Sequence, residues 1–81
     1  MEKRLAIIGI IVSERLENAA KVNEILSSYG DLIIGRMGLP YKEKNVSVIS
    51  VIVDATNDEI GAISGKLGGL NGVKAKVLIA S

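Results

Sequence analysis

Apolar residues run almost unbroken from Leu5 to Val12, with Gly9 the one position lacking a side chain. A short β-branched run of this kind predicts a central strand over residues 4–13, apolar on both faces. Gly9 inside it implies close approach by a neighbouring backbone or side chain. From about Arg15 the period changes. Leu16, Ala19, Ala20, Val22, Leu26 and Tyr29 fall on one broad face, and Glu17, Lys21, Glu24 and Ser28 on the other. That spacing predicts an amphipathic helix over residues 15–29, with Ser13 as its N-cap and Gly30 as its stop. Glu17 and Lys21 form an i,i+4 pair in the favourable order. Asn23 breaks the apolar face, so it is expected to hydrogen-bond something or to line an opening.

Leu32 to Leu39 reads as a second strand interrupted by Gly35 and Gly38, and Pro40 to Asn45 as a polar turn. Val46 to Asp54 is again rich in Val and Ile and predicts a third strand, so a hairpin lies between two helices. Thr56 followed three residues later by Glu59 is a capping-box signature, and it opens a second helix with the apolar stripe Ile60, Ile63 and Leu67. Gly68 and Gly69 end that helix, and Asn71-Gly72 turns the chain. The last strand, Val73 to Ala80, alternates apolar residues with Lys74 and Lys76, as suits an edge strand with one wet face. Gly61, Ser64, Gly65 and Gly68 line a second stripe of the second helix. Helical glycine costs about 1 kcal/mol relative to alanine, so this stripe implies close packing against a neighbour.

The order strand, helix, strand, strand, helix, strand defines an α+β, ferredoxin-like βαββαβ fold over residues 1–81, read as one domain. Its sheet is four-stranded and antiparallel, with both helices on one face and the first and third strands in the middle. Those are the two strands apolar on both sides. If Ile7, Gly9 and Ile11 face the helices, then Ala6, Ile8, Ile10 and Val12 face out, or the reverse. In either case β-branched side chains lack a cover within one chain, and Val46, Val48 and Ile52 add to them. A second sheet could bury some hundreds of Å², at roughly 25 cal/mol per Å². The expectation is a homo-oligomer, a dimer or a tetramer.

Composition sharpens this. An 81-residue chain that is 48% hydrophobic buries only roughly 60–65% of its unfolded surface, so surplus Val, Ile and Leu must face water or another subunit. The net charge is +1, from ten basic and nine acidic residues, which does not provide the clustered basic surface of a nucleic-acid binder. The chain has no cysteine and no histidine. It therefore lacks a thiolate nucleophile, a zinc-thiolate or iron–sulfur ligand set, and the usual neutral-pH base. No catalytic residue, metal site or cofactor is expected, and Asp58 and Glu59 read as caps. The leading apolar run is far shorter than the ~20 residues that span a bilayer and lacks a cleavage site, which points to the cytoplasm and to no membrane.

Gly35-Arg36-Met37-Gly38-Leu39-Pro40-Tyr41 is the densest unusual stretch. Its glycines permit close approach and Arg36 is a fork-shaped anion binder, so it suggests an anion- or carboxylate-binding corner or an inter-subunit contact built on Arg36 and Tyr41. A bulged strand and its turn explain the same residues equally well.

With these residues in view, the chain resembles a family of small regulators associated with iron-only hydrogenase systems, over essentially its whole length. The Gly35-to-Tyr41 string carries the resemblance, together with Val46-Ser47-Val48-Ile49-Ser50, Asp58-Glu59-Ile60-Gly61-Ala62, Gly65-Lys66-Leu67 and Leu70. That family is similar to ACT domains and to the C-terminal domain of the nickel-responsive repressor. The resemblance implies an ACT-like fold that assembles through its sheets and a regulatory role without enzymatic activity. The nickel ligands of that repressor have no counterpart here, and neither does its ribbon-helix-helix segment, so neither nickel sensing nor direct DNA contact is implied. In ACT domains the loop after the first strand commonly contributes to an amino-acid site at a subunit interface. The matching positions are Ser13, Glu14 and Arg15. The candidate contacts for a small effector or a protein partner are thus Glu14, Arg15, Asn23, Gly35, Arg36, Gly38 and Tyr41. The competing reading is a DNA-binding transcriptional regulator, acting directly through Arg36, Lys42 and Lys44 or with a separate DNA-binding partner.

Overall fold

The computed structural model describes residues 2–13 and 16–81, with the backbone alone for Leu16 and Glu17. The elements are β1 (Arg4–Ser13), α1 (Leu16–Ser28), β2 (Ile33–Tyr41), β3 (Val46–Ala55), α2 (Asn57–Gly68) and β4 (Val73–Ile79), with 3-10 turns at Gly30–Leu32 and Lys42–Lys44. The strands form one antiparallel sheet in the order β2-β3-β1-β4. This is the ferredoxin-like α+β arrangement, and it places the two most apolar strands in the centre.

The register decides which face of β1 is the core. Ala6, Ile8, Ile10 and Val12 are buried and lie opposite Val53, Val51, Ile49 and Ser47 of β3. They pack with Val22 and Leu26 of α1 and with Ile60, Ile63 and Leu67 of α2 in one cluster. Burying a side chain of this size contributes about 1.5–3 kcal/mol. Strand alternation then sends Leu5, Ile7, Gly9 and Ile11 to the face without helices, beside Val46, Val48, Ser50 and Ile52.

Several expectations are corrected. Gly9 meets no atom within 4 Å of an added Cβ, because it lies on the open face with nothing over it. The same holds for Gly61, Gly65 and Gly68, which lie on the exposed side of α2, so within the chain that stripe packs against nothing. Ala19 and Ala20 are exposed, and Asn18 is the buried polar residue of α1, 5% accessible. Its amide Nδ2 donates to Ser13 Oγ at 3.1 Å. Ser13 itself closes β1, with its N–H donating to the Gly72 carbonyl at 2.9 Å. Asn18, Ser13 and Gly72 thus tie the end of β1, the first turns of α1 and the α2–β4 turn together. α1 stops at Ser28, and Gly30 opens a 3-10 turn instead of acting as the stop.

Pro40 and Tyr41 belong to β2 and not to a turn. β2 is an edge strand, and an edge tolerates a residue without an N–H. β2 also carries a bulge. Ile33 lies opposite Val53, but Gly35 lies opposite Ile52, so Ile34 is extra and points out, 63% exposed. One extra residue reverses the alternation of everything after it.

The capping box of α2 is complete. The Thr56 N–H donates to Glu59 Oε1 at 2.8 Å, and the Glu59 N–H donates to Thr56 Oγ1 at 3.2 Å. The Thr56 backbone bond holds the Glu59 carboxyl below its ordinary range, partly offset by desolvation and reinforced by the Thr56 hydroxyl and Lys3. A carboxyl depressed in the folded state stabilises fully above its unfolded value, near pH 4.3, and loses that contribution as pH falls through the folded value. Glu59→Gln is therefore expected to be less stable than wild type at neutral pH, with the difference shrinking towards pH ~3. Denaturant melts of both proteins at the two pH values check this. A difference that stays constant with pH contradicts it.

Candidate functional site

The bulge at Ile34 determines where the unusual stretch points. Without it, alternation from Ile33 would send Arg36 to the open face. With it, Arg36 lies opposite Val51 and Gly38 opposite Ile49, both on the helix side. Pro40, opposite Ser47, follows the same parity. Beyond Ile33, then, the helix side of β2 carries no large apolar side chain. α1 faces this strip with Ala19 and Asn23, one turn apart and both short. Short residues on both sides leave a groove of about 480 Å³ between α1 and β2. Val12 and Ile49 form an apolar floor, with Ser47 beside them, and Pro40 and the backbone at Leu39 close the outer side.

Arg36 and Asn23 line this groove together. Arg36 Nη2 donates to Asn23 Oδ1 at 2.6 Å, which anchors the guanidinium over α1. Asn23 hydrogen-bonds and lines an opening, but it is exposed and lies off the buried stripe of α1, which corrects its expected place on the apolar face. Gly38 also lines the groove, and a Cβ built on it meets nothing within 4 Å. The missing side chain at residue 38 is part of the cavity.

The remaining candidates lie elsewhere. Gly35 and Tyr41 fall on the open face of β2 with Met37 and Leu39, by register with Ile52, Ser50, Val48 and Val46. The Tyr41 hydroxyl donates to Glu43 Oε2 at 3.4 Å and is far from Arg36's side of the sheet. Glu14 and Arg15 lie outside the described residues. The structure thus brings Asn23, Arg36 and Gly38 together and separates them from Gly35 and Tyr41. Among the described residues no group of three His, Cys, Asp or Glu is placed to hold a metal, and no helix is long and apolar enough to cross a membrane.

The open face is the second unusual surface. Across it run Leu78, Ile7 and Ile52 in one row, Lys76, Gly9, Ser50 and Met37 in the next, and Lys74, Ile11, Val48 and Leu39 in a third, so the β4 edge of the face carries two lysines. Met37 is 71% exposed, Leu78 63% and Leu39 58%. Leu5, Ile11, Tyr41 and Ile52 are each close to two-fifths exposed. Isolated exposed apolar residues are ordinary, and here several share one sheet face with Gly9, Ser50, Lys74 and Lys76.

The chain belongs to the TM1266-like family, described as "Iron-only hydrogenase system regulator, putative", which matches residues 4–77. Among solved structures it is similar to the uncharacterized protein TM1266 from Thermotoga maritima. The two are 39% identical with a TM-score of 0.97, over 99% of this chain and 100% of that one. An unknown protein from Galdieria sulphuraria shares the fold, with a TM-score of 0.72 at 15% identity, over 99% of this chain and 46% of that one. No curated protein matches the sequence.

Proposed function

We propose that this chain is a homo-oligomeric, ACT-like regulatory module of an iron-only hydrogenase system, which assembles through its open sheet face and acts in the cytoplasm. It works by binding a small effector or a partner protein and not by catalysis. The observation that carries the assembly is the face built from Leu5, Ile7, Ile11, Val48, Ile52, Met37, Leu39 and Leu78, bordered on β4 by Lys74 and Lys76 and left uncovered by the described residues. Pairing two such sheets supplies the missing second layer and removes the face from water. The direct DNA reading draws less support, because Arg36 is engaged by Asn23 of α1 and the net charge is only +1.

Methyl NMR with a soluble paramagnetic agent tests which surface is covered. The methyl groups of Ile7, Ile11 and Ile52 are expected to be protected as a set, while that of Ile34, outside the face, broadens. Equal broadening of all four overturns the reading.

A further inference from the structure

We propose that the groove between α1 and β2 binds a small monocarboxylate with an apolar body, its carboxylate on Arg36 and Asn23. This deepens the regulatory reading by naming the chemical class of the effector, and it relies on that reading only for the purpose of binding.

The volume of about 480 Å³ lies within the ~300–1,000 Å³ range of small-ligand pockets. Its lining is unequal. Val12, Ala19, Ile49 and Pro40 offer hydrocarbon, and among the described residues Arg36 is the one charged side chain on it. A guanidinium presents five N–H donors in a planar fork that matches a carboxylate. The bond to Asn23 uses one of them and fixes the orientation, so less freedom is lost when an anion binds. Ser13 and Ser47 also line the cavity, with the Ser13 hydroxyl already accepting from Asn18. One cation among apolar walls suits a monoanion with a hydrocarbon tail. A phosphate would need more donors than a single fork provides. Two backbone features have no other evident use. The Ile34 bulge turns Arg36 inward, and Gly38 leaves vacant the space a side chain would take.

The test is titration of the full chain, ¹⁵N-labelled, with sodium 4-methylpentanoate, its uncharged amide, and inorganic phosphate. The carboxylate is expected to bind with a Kd on the order of 1 mM, as befits a probe of few atoms, and to shift the amides of Asn23, Arg36 and Gly38. The amide should bind at least about tenfold more weakly, the loss of one charge-assisted interaction. Arg36→Met should weaken the carboxylate by a similar factor. Gly38→Val should abolish binding with the rest of the amide spectrum unchanged, since its side chain enters open space in a strand. Equal binding of acid and amide, phosphate binding as tight as the acid, or full binding by Gly38→Val would each overturn the proposal. An oligomer indifferent to the acid also overturns it while leaving the sheet-face assembly intact. A monomer that binds the acid through Arg36 supports it while removing that assembly.

Discussion

Ile52→Lys is expected to convert the protein to folded monomers. Ile52 lies in the middle of the open face, opposite Ile7 on β1 and Gly35 on β2. In the single chain it is 38% exposed and points away from the helices, so a lysine there reaches water and leaves the core intact. Across a paired sheet the same lysine places an unpartnered charge among apolar side chains. Desolvating that charge costs several kcal/mol, and each 1.4 kcal/mol is tenfold in Kd. A loss of affinity of about 100-fold or more follows, and the two-fold symmetry of a dimer applies the penalty twice. Light scattering reads the mass, and circular dichroism reports the fold. Retained assembly with an unchanged spectrum would place the interface elsewhere.

Gly72→Ala is expected to be strongly destabilising. Gly72 has φ +84°, a region that costs a side-chain-bearing residue about 1–3 kcal/mol. An added Cβ would also overlap Ser13 Oγ and Asn18 Nδ2. Relieving the overlap means moving the Asn18 amide off Ser13, or the Ser13 N–H off the Gly72 carbonyl, at about 1 kcal/mol for each bond lost. A total near 3 kcal/mol is a large fraction of the ~4–12 kcal/mol expected of a domain this size, and corresponds to a fall in Tm of roughly 15 °C. Thermal melts at matched protein concentration measure it. A fall of only a degree or two would show that the turn relaxes without loss. Gly61→Ala is the contrast, because its added methyl group meets nothing and the helix gains propensity.

The element order and the strand order were legible because local signals agreed. The Val/Ile runs marked β1 and β3, the Thr56–Glu59 box marked the start of α2, and a βαββαβ order allows few arrangements. The face of β1 was not legible. Ala6, Ile8, Ile10 and Val12 are as apolar as Leu5, Ile7 and Ile11, so pattern alone allows either side in. Only pairing with Val51 and Val53 decides it. Arg36 and Tyr41 appeared to be neighbours because they share a glycine-rich stretch. Five residues apart on a strand they face opposite ways, and which way depends on the bulge at Ile34, a property of pairing with β3. Asn18 carried no signal in the sequence, because its burial depends on Ser13 and on the turn at Gly72, which arrives from a distant part of the chain. Asn23 was singled out as a break in the apolar face, but the buried face of α1 runs through Val22 and Leu26, and Asn23 sits exposed beside it at the groove.

The same difference explains the helical glycines. Gly61, Gly65 and Gly68 implied a close neighbour, and within the chain there is none. Propensity records that a residue is costly in place and not what offsets the cost.

The central claim is that the working unit is an assembly that buries the open face of the sheet. Multi-angle light scattering on the wild-type chain at micromolar concentration tests it most directly. The expected mass is an even multiple of 8.5 kDa, a dimer or a tetramer. A single 8.5 kDa species at that concentration would contradict it.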